Sequence, residues 1–161
     1  MEGSNLRYIT APMVGQSDLP FRVLCRMHGA TLSCTQMLMP DKLLNEQDYL
    51  EYHLKDLKTA TDLGLEQPVV VQLCGNDPES IVKAGRILQN HCQGIGNIWL
   101  LNQYTFSGLI PIYGRLDLNL GCPQKHAQEG NFGAYLLGQN DWPLVEKIGM
   151  RGCKRFRKSM V

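Results

Sequence analysis

Short apolar runs, each closed by a turn and followed by an amphipathic stretch, recur along this chain. The strongest is Val69-Val70-Val71-Gln72-Leu73-Cys74, entered through Pro68, a continuous β-branched run of the kind buried on both faces of a parallel sheet. Gly75-Asn76-Asp77-Pro78 ends it and opens a helix, with Asp77 as N-cap, Pro78 at the first helical position and Glu79 in the first turn. Ile81, Val82, Gly85, Leu88 and Gln89 mark the face of that helix. Nearer the start, Tyr8-Ile9-Thr10 is β-prone and stops at Ala11-Pro12-Met13, where Pro12 removes a backbone donor. Ser17 or Asp18 is placed to cap a helix with Pro20 in its first turn, continuing through Phe21, Leu24, Cys25 and His28 to Gly29. Ala30 to Met37 leans to strand, Pro40 breaks it, and the charge-rich stretch 41–62 reads as helical in part.

The fourth run is Leu116-Asp117-Leu118-Asn119-Leu120, in which leucines alternate with two polar residues. A period of two sends the aliphatic set to one face and Asp117 with Asn119 to the other, so one face packs and the other is free for chemistry. Gly121 allows a turn without a Cβ, and Pro123 pushes Cys122 toward extended dihedrals, which presents the sulfur. The competing reading is burial, since a free cysteine behaves as a small hydrophobe. Residues 124–139 read as a long polar, glycine-containing loop, then a capped turn at Asn140-Asp141-Trp142-Pro143 and a helical run to Ile148. Repeated strand-helix alternation argues for an α/β fold with parallel strands and right-handed crossovers.

Composition narrows the class. At 161 residues and 43% hydrophobic content the chain suits one domain with a sizeable core. Its formal charge of +1 conceals an asymmetry: five of its 16 basic residues lie in the last eleven positions, leaving 11 basic against 15 acidic, or −4, elsewhere. Residues 150–161 read as an aperiodic basic tail. The six cysteines show no Cys-x-x-Cys spacing, so no metal site is expected, and without an apolar leader at 1–10 they read as reduced thiols of a cytoplasmic protein, with the nucleus as the alternative. The interval Gln93 to Gly114 carries no charge, yet Asn97, Asn102, Gln103, Ser107 and Pro111 argue against a membrane span. Gly94-Ile95-Gly96 within it opens like a dinucleotide fingerprint, but follows no convincing strand and meets Trp99 where a small residue must sit.

Three strand exits carry a recognisable chemistry: Ala11-Pro12-Met13, Gln72 with Cys74-Gly75-Asn76-Asp77-Pro78, and Asn119-Leu120-Gly121-Cys122-Pro123-Gln124. With them the chain resembles the dihydrouridine synthases, flavin enzymes that reduce uridines in transfer RNA; Gly121-Cys122-Pro123-Gln124 resembles the eukaryotic branch acting in the D-loop. The resemblance runs from about Tyr8 to Ile148 and implies a TIM (β/α)8 barrel holding FMN, with NADPH or NADH as reductant and tRNA as substrate. It implies that Ala11, Pro12 and Met13 contact the flavin ring, that Gln72 bonds its pyrimidine edge, that Asn119 lines the adjoining substrate position, and that Cys122 is the general acid. A thiol suits that task, because its ordinary pKa of about 8.5 leaves it mostly protonated at neutral pH.

The chain also departs from the pattern. Gln128-Glu129 stands where basic residues are usual, weakening the expected backbone contact with RNA. Residues 96–116 read as an insertion into a catalytic segment spanning 1–149. A full barrel needs on the order of 200 residues or more. The expectation is therefore the N-terminal part of a TIM barrel, truncated after about four βα units, with weak flavin retention and the second half not supplied by this chain. The alternatives are another FMN-dependent barrel reductase acting on a pyrimidine, of the dihydroorotate or dihydropyrimidine dehydrogenase type, and a noncatalytic RNA-binding fragment using the basic tail.

Overall fold

The structure, a computed structural model, describes residues 8–62, 69–89, 91 and 117–157. Three strands, β1 (Ser33–Leu38), β2 (Val69–Leu73) and β3 (Asp117–Leu118), form one sheet in that order. Both pairings are parallel, with Met37 opposite Gln72 and Gln72 opposite Asp117. The first β-prone run contributes a single parallel bridge, Ile9 to Leu32, supported by the Thr10 N–H donating to the Leu32 carbonyl at 3.0 Å. It goes no further because Pro12 has no N–H and the chain turns at 14–16. Among the described strands, sheet order follows chain order, as it does in a parallel barrel.

Helix α1 (Leu19–Met27) precedes β1, α2 (Pro40–Asn45) and α3 (Gln47–Asp62) link β1 to β2, α4 (Pro78–Leu88) follows β2, and α5 (Lys125–Glu129) and α6 (Trp142–Arg157) follow β3. Strand β2 shows how the two faces divide. Val69, Val71 and Leu73 join the main core with Leu38, Ile81 and Leu118, while Val70 packs with Leu32 and Cys34, and Cys74 with Met37 and Phe132. Every residue of β2 is buried, as its β-branched run predicts. In α4 the expected cap is present: Asp77 accepts from the Ser80 N–H at 2.8 Å and from the Glu79 N–H at 3.3 Å.

Several sequence expectations are corrected. Asp18 occupies the N-cap position of α1 without capping it. Its carboxylate accepts instead from Gln36 Nε2 at 2.7 Å and the Tyr52 hydroxyl at 2.9 Å, and the Leu19 N–H donates to Asp56 of α3 at 2.8 Å. Asp56 also pairs with the buried guanidinium of Arg22 at 2.9 Å, so one carboxylate of α3 serves both a helix end and a buried charge. Pro40 does not merely break β1; it starts α2, where the first-turn position needs no N–H. The segment 124–139 is not an open loop: it contains α5 and a 3₁₀ turn at Gly133–Leu136, and a second 3₁₀ turn, Gln139–Asp141, starts at its end. Helix α6 continues to Arg157, through most of the stretch read as an aperiodic tail. The uncharged interval, with the insertion read at 96–116, lies outside the described residues.

Candidate functional site

The C-terminal ends of all three strands open into one cleft of about 720 Å³. Pro12, Met13, Gln72, Asn119 and Cys122 line it, so five of the six residues expected at the site come together. Ala11 does not line it; that residue is exposed, and its carbonyl accepts from the Ser17 hydroxyl at 3.0 Å. The same hydroxyl accepts from the Met13 N–H at 2.9 Å, so the fully buried Ser17 folds the 11–13 loop toward the cleft. Ser17 is thus a loop clamp rather than a helix cap. Its signal in the sequence, a small hydroxyl residue just after a turn, serves either role.

Polar groups on the cleft floor form a continuous relay. Gln72 Nε2 donates to Asp117 Oδ2 at 2.7 Å, and Asn119 Nδ2 donates to Gln72 Oε1 at 2.8 Å. Asn119 Oδ1 then accepts the backbone N–H groups of Gly121 at 3.1 Å and Cys122 at 2.9 Å. Pairing of β2 with β3 builds this relay, because Gln72 sits opposite Asp117 and the two strands present the same face. Asp117 is only 3% exposed, and its part in the site went unassigned in the sequence although the alternation put it on the polar face.

Cys122 is half-buried and held from both sides. Asn119 takes its N–H, and its carbonyl accepts from the Ala134 N–H at 3.0 Å. Gly133 makes that approach feasible: with φ +64°, a Cβ there would lie 2.7 Å from the Cys122 carbonyl oxygen. Gly121, expected to be the glycine the turn requires, has nothing within 4 Å of a Cβ and is not in the left-handed region. The steric demand sits twelve residues downstream, where the chain folds back. From the β2 exit, Asn76 Nδ2 donates to the carbonyls of Gly130 at 3.1 Å and Asn131 at 3.2 Å, tying the returning loop to the sheet. His126 Nε2 lies 4.0 Å from the Cys122 sulfur, one helical turn along.

The second cysteine nearby is chemically different. Burial pushes the Cys74 thiol up to about 12, with the neighbouring Cys122 adding to the shift, and its Sγ donates to the Leu38 carbonyl at 3.4 Å. Cys74 is a core residue, whereas Cys122 stands at the rim of the cleft. Among the described residues that line the cleft none is basic; it is walled by apolar groups from Pro12, Met13 and Met37 and floored by carboxamides. That arrangement fits a flat heteroaromatic ring with hydrogen-bonding edges. Among the described residues no group of three or more His, Cys, Asp or Glu could hold a metal ion, and no helix is long and apolar enough to cross a membrane.

Parallel strands in chain order, with a polar relay and a loop thiol at their C-terminal ends, have the layout of a segment of a parallel α/β barrel. The dihydrouridine synthase (Dus) family profile matches residues 9–98 and 112–148, and the chain belongs to that family. Its sheet is accordingly part of a TIM barrel. The break in the match falls inside the stretch 96–116. The chain is 36% identical over 140 residues to the tRNA-dihydrouridine(16/17) synthase, NAD(P)(+), of Schizosaccharomyces pombe, covering 87% of this chain and 28% of that protein. It is 35% identical over 142 residues to the corresponding synthase-like protein of Mus musculus, covering 88% of this chain and 24% of that protein. The synthase of the same name from Saccharomyces cerevisiae is 33% identical, covering 87% and 27%. Similarity to tRNA-dihydrouridine synthase B of Xanthomonas campestris is lower, at 28%. The chain spans about a quarter of the length of the 16/17 synthases it matches.

Proposed function

We propose that this chain is the flavin-ring and proton-donor portion of a tRNA-dihydrouridine synthase, reducing uridine to 5,6-dihydrouridine in the D-loop of tRNA. The observation that carries the reading is a thiol clamped through its own backbone to the carboxamide relay of Gln72 and Asn119. FMN, when bound and reduced by NADPH or NADH, would supply the hydride for C6 of the uracil ring. Pro12 and Met13 would support the ring face, Gln72 would bond its pyrimidine edge, and Asn119 would fix the substrate position beside it; all four line the cleft. Cys122 Sγ–H gives its proton to C5, leaving a thiolate at the cleft rim that solvent reprotonates. Holding Cys122 by N–H and C=O leaves its side chain free to approach the base while its position is set, which is the geometric half of general-acid catalysis.

Among the described residues the cleft would hold the ring and presents no cation to the phosphate, so FMN binding by this chain is expected to be weak. Flavin fluorescence titration tests this: saturable quenching is expected, with loss of affinity in Gln72→Ala. Binding that is indifferent to Gln72→Ala would refute the site. In the flavin-loaded enzyme Cys122→Ala is expected to keep the flavin and form no dihydrouridine in unmodified tRNA. Full activity in that variant would remove the general-acid assignment.

A further inference from the structure

Gln72 and Asn119 each carry an acceptor and a donor end on the same side chain, so what the cleft can hold depends on which way each carboxamide is turned. The structure contains a reason for the direction it shows. Asp117 is 3% exposed and Gln72 is 5% exposed, and a carboxylate only accepts. Gln72 must therefore present its amino end to Asp117 Oδ2, at 2.7 Å, and its oxygen to Asn119 Nδ2, at 2.8 Å. Asn119 is turned in consequence, its oxygen taking the Gly121 and Cys122 N–H groups at 3.1 and 2.9 Å. Along this chain of bonds both amide oxygens have donors, and each NH₂ has one hydrogen committed. Among the described residues that leaves one N–H on each amide for the cleft both side chains line.

We propose that Asp117 is a positioning residue that sets the donor polarity of the cleft, making it select a pyrimidine-2,4-dione edge. The two carbonyl oxygens of a dione accept from the two N–H groups, whereas a 4-aminopyrimidine keeps one carbonyl and sets its amino donor against the second N–H. This rests on the function proposed above and deepens it. The dione comes from either of two sources, the pyrimidine ring of the flavin or the uracil base, and the chemistry is shared. The alignment of β2 with β3 makes the device: a one-residue slip of register would put Leu118 opposite Gln72 and leave the amide free to rotate.

Two measurements on the full 161-residue chain test it. In the first, ¹⁵N-labelled protein is followed by NMR at the side-chain amides of Gln72 and Asn119, with no ligand. Wild type is expected to show a slowly exchanging N–H on each, and Asp117→Asn to speed exchange at both. Unchanged exchange overturns the proposal. In the second, FMN, uridine monophosphate and cytidine monophosphate are titrated separately. Asp117→Asn is expected to weaken the dione ligands about tenfold, the scale of one lost hydrogen bond, while sparing the cytidine nucleotide. Loss confined to FMN assigns the relay to the flavin ring, and loss confined to the uridine nucleotide assigns it to the base; either supports the proposal. Equal loss for uridine and cytidine nucleotides, with a lowered Tm, marks a packing role and overturns it. The paired exchange Gln72→Glu with Asp117→Asn keeps the buried pair satisfied with donor and acceptor reversed, so it is expected to keep its Tm and lose dione binding. Retained dione binding there also overturns the proposal. If wild type binds none of the three ligands while its amides exchange as expected, the orienting role stands and the flavin-site reading is the one that fails.

Discussion

Gly133→Ala is expected to dislodge Cys122 without touching the cleft floor. A Cβ at 133 would lie 2.7 Å from the Cys122 carbonyl oxygen, 3.0 Å from its Cβ and 3.2 Å from its nitrogen. All three atoms belong to Cys122, and two are backbone, so no flexible side chain can swing aside. The backbone at 133 also has φ +64°, which costs a non-glycine residue roughly 1–2 kcal/mol. Overpacking adds about 1–3 kcal/mol, and the stiffer unfolded chain of the variant offsets about 0.4–1 kcal/mol. The net loss is roughly 2–4 kcal/mol, which for a chain of this size lowers Tm by on the order of 10 °C. The 3.0 Å bond from the Ala134 N–H to the Cys122 carbonyl is the contact that must stretch. Differential scanning calorimetry reads the stability, and peptide-resolved iodoacetamide labelling reads the thiol, whose rate in native protein should change as the loop moves. Gly121→Ala is the internal control, because its Cβ meets nothing within 4 Å. A Gly133→Ala variant with the Tm and Cys122 labelling of wild type would refute the claim that this contact positions the thiol.

Three further outcomes are expected. In native protein iodoacetamide should modify Cys122 and spare Cys74, whose burial pushes its thiol up to about 12, until denaturant exposes both; equal labelling of the two under native conditions would contradict the buried assignment. Asp77→Ala should cost about 1 kcal/mol by removing the α4 cap, measured by urea unfolding. Hydrogen bonds from the Ser80 side chain and backbone hold the Asp77 carboxyl below its usual value of 3.8. Its contribution is therefore complete above that value and fades as pH falls through the depressed one, so the gap between wild type and Asp77→Ala should narrow only under acid conditions. Asp56→Ala should cost more, roughly 3–5 kcal/mol, since it strips the buried Arg22 of its ion pair and the first turn of α1 of its acceptor; a loss under 1 kcal/mol in chemical denaturation would contradict this.

Local pattern by itself determined the elements whose signals are local. The β-branched run at Val69–Leu73 and the Asp77-Pro78-Glu79 opening of α4 depend on residues a few positions apart and appear where the pattern puts them, while the alternation read at 116–120 forms strand at Asp117–Leu118. Five of the six residues expected at the site line one cleft because they sit at strand exits, where turn residues and polar side chains interrupt an apolar run. What tertiary structure alone decided are the partners. Asp18 and Ser17 both read as helix caps, yet α3 supplies the acceptor at the start of α1 through Asp56, and Ser17 clamps the loop that carries Pro12 and Met13. The glycine that Cys122 requires is Gly133 rather than its own neighbour Gly121, because the crowding comes from a segment that returns through space. Asp117 was visible as a polar position, but only its register against Gln72 on β2 turns it into an acceptor that orients two amides. A hydrogen bond between strands depends on alignment across 45 residues of chain, and no short-range period in the sequence encodes that alignment.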